Sequence, residues 1–154
     1  MSRKIEEYAR EGKINPDASI RDKQSIVINA SLTRCWEILT NISDWPKWNG
    51  DIKITSFERL EPGSKFSWKI NGFSIRSTLQ QVNEPYKITW TGKALWIRAI
   101  HTWIFEKAEK DQTIVTSKES MQGFLLPLFY THQKLHADLL SWLSRLKKEA
   151  EKTN

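Results

Sequence analysis

A chain of 154 residues with 39% apolar and 27% charged side chains has the length of one domain and enough apolar content for a core, which excludes wholesale disorder. Its net charge of +6, from 24 Lys and Arg against 18 Asp and Glu, is spread along the sequence. The densest basic pair, Lys147 and Lys148, lies beside Glu149 and Glu151, so a solvated helix face is expected there and no nucleic-acid partner.

Residues 1–19 form a polar arm, with one mildly helical stretch at 3–10 ended by Gly12 and followed by Asn15-Pro16-Asp17. Residues 20–154 then make the single domain. Ile20 and Ser25-Ile26-Val27-Ile28 predict a first strand over 20–29. Ser31 is placed to cap a helix over 32–40, which runs into the turn Asp44-Trp45-Pro46-Lys47-Trp48.

From 52 to 122, β-branched and aromatic residues are punctuated by turn signals at Glu61-Pro62-Gly63, Asn71-Gly72, Asn83-Glu84-Pro85 and Glu109-Lys110-Asp111. Asn71-Gly72, between two alternating runs, is the strongest hairpin signal in the chain. The tract predicts six antiparallel strands near 52–60, 64–71, 73–83, 86–94, 97–108 and 112–121, making seven with the first. Leu128, Thr131, Leu135, Leu139, Trp142, Leu143 and Leu146 then recur at three- and four-residue spacing, predicting one long amphipathic helix over 126–152 with Pro127 in its first turn. Its apolar stripe has one large surface to cover, the face of the sheet. A strongly curved sheet cannot close on a straight helix, so a void is expected between them.

The lone Cys35 excludes an internal disulfide, no apolar run reaches about 18 residues and no secretory pattern opens the sequence. The expectation is a cytoplasmic, soluble protein with no stable membrane insertion. Eight Trp are the unusual entry in the composition. Each needs packing and a partner for its indole N–H, so core packing is weighed against ligand contact at every one.

The order W-E-I-L-T-N-I-S-D-W-P-K-W-N, P-G-S-K-F-S-W, N-E-P-Y-K-I-T-W-T-G, A-I-H-T-W-I-F-E and T-S-K-E-S-M-Q-G resembles the SRPBCC superfamily, the START-like or polyketide-cyclase-like helix-grip proteins, over nearly the whole chain from about 25 to 151. The resemblance implies an α+β helix-grip fold: a seven-stranded curved antiparallel sheet around a long C-terminal helix, with two short helices after the first strand. It also implies a cavity for a small hydrophobic molecule, aromatic, polyketide-like or lipid-like. The family spans cyclases, lipid-transfer and hormone-binding proteins, chaperone activators and hydroxylase domains, so membership implies a pocket rather than a reaction.

The expected lining is Trp36 and Trp45 from the helix and turn, Trp68, Ile75, Leu79 and Trp90 from the middle strands, Trp103, Phe105 and Met121 from the last two, and Leu135 and Leu139 from the final helix. The family's strand points its H-x-W/F residues inward, which places His101 and Trp103 toward the helix. Alternation puts Glu119 on one face with Val115, Ser117 and Met121, and antiparallel pairing puts it near the level of Ala99 to His101. In an apolar pocket this pair is a candidate acid and base for enolisation, dehydration or ring closure; the competing reading is that the two merely satisfy each other. A one-residue slip of register would turn both to solvent.

Arg76 and Arg98 are candidate anion-stabilising groups whose strand neighbours turn them outward. His132 and His136 have the i, i+4 spacing of a metal pair, but no nearby Asp or Cys completes a set, so no metal is expected, and no cofactor. Cys35 has no His beside it and is not expected to act as a nucleophile. Gly123 and the apolar run 124–130 form either packing at the cavity's end or a lid or contact patch. Three functions stay open: a binding or transfer module, a cofactor-independent cyclase, dehydratase or isomerase using His101 and Glu119, and a regulator that docks a protein through the arm or through 123–130. A homodimer is left open.

Overall fold

In the structure, a computed structural model that describes residues 2–153, seven strands form one antiparallel sheet in the order β1-β7-β6-β5-β4-β3-β2. The strands are β1 (Ile20–Ile28), β2 (Ile52–Phe57), β3 (Lys65–Ile70), β4 (Phe73–Asn83), β5 (Lys87–Ala94), β6 (Ile97–Lys107) and β7 (Thr113–Gln122). The helices are α1 (Arg3–Arg10), α2 (Leu32–Thr40), α3 (Trp45–Trp48), α4 (Leu126–Phe129) and α5 (His132–Ala150). This is the helix-grip architecture expected from the sequence: a seven-stranded sheet, two short helices after β1, and a C-terminal helix across the inner face.

Local chemistry sets the boundaries. Ser31 caps α2, its Oγ accepting the Arg34 N–H at 3.2 Å. Asn71 and Gly72 both take positive φ, 50° and 83°, as the two-residue turn between β3 and β4 requires. The α1 helix lies against β4 and β5 with Ala9 fully buried, and the Asn15 N–H donates to Ser120 Oγ at 3.0 Å.

The predicted helix over 126–152 is broken. Tyr130 is extended, at φ −144° and ψ 148°, and separates the single turn α4 from α5. Periodicity continues across the break because Leu128 and Leu135 still fit a helical stripe. The backbone does not, because Thr131 takes the cap position of α5, accepting the Lys134 N–H on its Oγ1 at 3.1 Å, and a capping residue has extended dihedrals.

The main core is a tryptophan cluster. Trp45 meets Phe66, Trp68, Trp90 and Trp142 at ring-centroid distances of 5.7, 5.6, 5.4 and 5.1 Å, most of them edge to face. Its indole N–H donates to the Leu39 carbonyl at 2.7 Å, which also ties the turn after α2 to that helix. A smaller cluster of Ile20, Ile97, Leu126, Leu135 and Leu139 closes the other end of the sheet against the start of α5. Between the two clusters the sheet and helix do not meet.

Candidate functional site

The gap is a cavity of about 300 Å³ between the inner face of β3 to β7 and the first half of α5. Small residues open it: Gly92 on β5 faces Ala99 on β6 in register, with Ala94 two positions on. A Cβ at Gly92 would lie 3.4 Å from Ile75 Cγ2, so larger side chains on these positions would fill the space. Four expected contacts line the cavity, Trp68, Ile75, Trp90 and Met121, together with His101 and Glu119.

Seven other expected contacts lie off its wall. Trp36 packs edge to face on Phe105 at 5.6 Å, and both are buried in the main core. Trp45, Leu79 and Trp103 belong to that same core, Trp103 lying behind His101 with rings 5.2 Å apart. Leu135 and Leu139 are fully buried in the smaller cluster. The physical reason is common to all: an inward-facing residue can be enclosed within a packed cluster or stand at its cavity edge, as Trp68 and Trp90 do, and alternation does not distinguish the two.

The polar wall is built by register. His101 pairs with Glu119 across β6 and β7, bringing Nδ1 to 3.5 Å from Glu119 Oε1, while His101 Nε2 and Ser117 Oγ are 2.7 Å apart. His101 is 4% exposed, and the Glu119 side chain keeps 18% where it opens on the cavity. Burial lowers the His101 pKa to about 3. Burial, helped by the Asp138 carboxylate, pushes Glu119 up to about 8. Burial thus favours the uncharged form of each group at pH 7 across their 3.5 Å approach. A protonated Glu119 carries an O–H to donate, and a neutral His101 has one ring nitrogen without a proton; in the tautomer protonated at Nε2, toward Ser117, that acceptor is Nδ1.

Twelve lining residues were not among those expected: Ile70, Asn71, Phe73, Ser77, Gly92, Ala94, Ile97 and Ala99 on the strands and their turns, and Tyr130, Lys134, Asp138 and Trp142 from the C-terminal segment. The Tyr130 hydroxyl donates to Asp138 Oδ2, and burial with that bond raises the Tyr130 pKa. Residues 134, 138 and 142 stand at i, i+4 and i+8, one row of the helix next to the Leu135 and Leu139 row. That spacing is a signal present in the sequence, masked by the stronger apolar stripe beside it.

The remaining candidates lie elsewhere. Arg76 is exposed, and Arg98 donates to the Leu95 and Ile97 carbonyls at 2.9 and 3.0 Å. His132 and His136 are exposed on α5, with His136 Nδ1 3.1 Å from Asp22 Oδ2. Among the described residues no group of three or more His, Cys, Asp and Glu is placed to hold a metal ion, and no helix is long and apolar enough to cross a membrane. Cys35 is buried, and burial raises its thiol pKa.

The sequence family described as polyketide cyclase / dehydrase and lipid transport matches residues 20–151. No curated protein matches the chain. Among solved structures, a START superfamily protein from Mycobacterium smegmatis superposes with a TM-score of 0.72 at 12% identity, over 85% of this chain and 97% of that one. A hypothetical protein from Helicobacter pylori gives 0.71 at 16% identity, over 88% and 90%. DynU16, from the dynemicin biosynthetic locus, gives 0.69 at 16% identity, over 89% of this chain and 48% of that one. At these identities the likeness is one of fold.

Proposed function

We propose, from the premise that the chain belongs to the polyketide cyclase / dehydrase and lipid transport family, that it binds a small, uncharged, largely apolar molecule in the cavity between sheet and α5. The observation that carries this reading is the wall itself: Trp68, Trp90 and Trp142 give flat aromatic faces, Ile75 and Met121 aliphatic ones, and of the buried polar groups on the strand side Ser77 is uncharged and accepts the Trp68 indole N–H, while burial favours the uncharged forms of His101 and Glu119. An aromatic or lipid-like ligand with one carbonyl or hydroxyl fits that pattern, since a protonated Glu119 donates to a carbonyl oxygen. Native mass spectrometry of freshly purified protein tests it. A stoichiometric small molecule released on denaturation is the expected result; a clean mass that no aromatic or lipid-like probe shifts would sink the reading.

A second reading is favoured by the adjacency of His101 and Glu119 in a cavity. In a cofactor-independent dehydration, a base removes the proton α to a carbonyl while an acid protonates the departing hydroxyl, releasing water. Protonated Glu119 supplies the acid and His101 Nδ1 an unprotonated base. On this reading His101→Ala abolishes turnover and leaves ligand affinity within a few-fold. On the carrier reading there is no turnover to lose.

A further inference from the structure

Of the eleven large apolar side chains exposed among the described residues, seven stand at one end of the fold, on three connections around the cavity mouth. Phe73 follows the β3 to β4 turn, Leu95 and Trp96 form the β5 to β6 turn, and Phe124, Leu125, Leu128 and Phe129 follow β7. Phe124, Leu128 and Leu95 are 78, 73 and 72% exposed. The three tips form one surface: the Trp96 and Phe129 rings are 6.1 Å apart, Gly123 fits against the Trp96 carbonyl, and Phe73 and Tyr130 both line the cavity.

This display is held in place. Leu126 is fully buried among Ile20, Ile97, Leu135 and Leu139, and Leu125 takes a left-handed backbone at φ 65°, so the chain pins one side chain inward and turns its neighbours out. A Cβ at Gly123 would lie 2.7 Å from the Trp96 carbonyl oxygen, which fixes the spacing of the two tips.

Charge decides the partner. The β3 to β4 turn is flanked by Lys69 and Arg76, the β5 to β6 turn by Lys93 and Arg98, and Lys134 starts α5, whereas residues 69–83, 87–105 and 120–137 contain no Asp or Glu. The turns at the other end of the sheet carry five acidic residues, Glu58, Glu61, Glu84, Glu109 and Asp111, against Arg59 and Lys110. The acidic residues at this end are each held by a partner: Asp17, just ahead of β1, is 3.7 Å from Lys4, Asp51, just ahead of β2, is 3.0 Å from Arg145, and Asp138 on the cavity wall accepts from the Tyr130 hydroxyl. A second copy of the same surface would be repelled by its own cations. Separate apolar tips, Trp96 among them, with a cross-strand row of Arg76, Lys93 and Arg98 beside them match a fluid layer whose surface is anionic and whose interior is apolar.

We propose that this end of the molecule docks on an anionic lipid bilayer, with the apolar tips entering the headgroup boundary and the cavity mouth facing the membrane. Docking requires nothing of the cavity's occupant, so it stands or falls separately from the ligand-binding reading.

The test is co-sedimentation of the full chain with phosphatidylcholine vesicles, with and without phosphatidylglycerol. Binding is expected only to the anionic vesicles and is weakened by salt. Phe124→Ser with Leu128→Ser removes two side chains that pack on little, so the melting temperature is retained while vesicle affinity falls by at least about tenfold. Lys69→Gln with Lys93→Gln lowers it by about 30-fold, at roughly fivefold per cation. No binding to anionic vesicles at low salt, or equal binding by the Phe124 and Leu128 variant, overturns the proposal. So does a concentration-dependent dimer that the same variant abolishes while vesicles go unbound.

Discussion

Replacing Glu119 by Gln keeps the shape of the cavity wall and removes its titration, which makes the charge state of the site measurable as stability. Glu119 holds its proton up to about pH 8 in the folded protein against 4.5 for a free carboxyl, and His101 stays unprotonated down to about pH 3 against 6.5. The signs are opposite. Between 4.5 and 8 the folded chain carries a proton on Glu119 that the unfolded chain has lost, so stability falls as pH rises. Between 3 and 6.5 it lacks one on His101 that the unfolded chain holds, so stability rises with pH. The two cancel from 4.5 to 6.5, and above 6.5 only the Glu119 linkage remains, at about 1.4 kcal/mol per pH unit. From pH 6.5 to 8 the loss is about 2 kcal/mol, or about 4–8 °C in melting temperature for a domain of this size. Thermal unfolding followed by tryptophan fluorescence, wild type against Glu119→Gln, isolates the effect because other titrating groups are shared. The wild-type curve should fall across that window relative to the variant. Parallel curves would mean that Glu119 ionises like an exposed carboxyl, that the cavity wall is charged at pH 7, and that the preference for an uncharged ligand has no basis.

Trp45→Ala removes the ring on which Phe66, Trp68, Trp90 and Trp142 converge and should cost about 3–5 kcal/mol, read as a lower urea midpoint; a change under about 1 kcal/mol would contradict the central role of that ring. Ala99→Phe should fill the cavity, with the co-purifying ligand lost from the native mass spectrum and the melting temperature kept or raised; retention of the ligand at full stoichiometry would place its site elsewhere. Thr131→Ala removes the cap of α5 and should cost about 1 kcal/mol in urea unfolding, whereas no change would mean that α5 does not begin at that residue.

The sheet was legible in the sequence because its signals are local. Asn71-Gly72 needs no tertiary information to specify a tight turn, and the alternation of Ala99, His101, Trp103 and Phe105 survives into the structure residue by residue. The His101 and Glu119 pairing followed from the same rule, since antiparallel register carries the alternation of one strand to the next. The division of 126–152 into α4 and α5 was not legible. Leu128 and Leu135 obey helical spacing on either side of the break, and only the cap at Thr131 reveals that Tyr130 is extended.

The cavity lining was less legible than the fold, for a different reason. Trp45 and Trp90 have the same chemistry and the same inward direction, yet Trp45 sits under the cluster and Trp90 faces the gap. What separates them is position in the cluster: Trp45 is enclosed by Phe66, Trp68, Trp90 and Trp142, whereas Trp90 stands at the edge that faces the cavity. The polar residues of the helix reflect that same geometry. Where α5 lifts away, the row beside its leucines no longer meets the sheet, and Lys134 and Asp138 can occupy it without being buried against apolar side chains. Polar residues on the inner flank of an amphipathic helix thus mark the level at which helix and sheet separate, and in this chain they mark the level of Glu119.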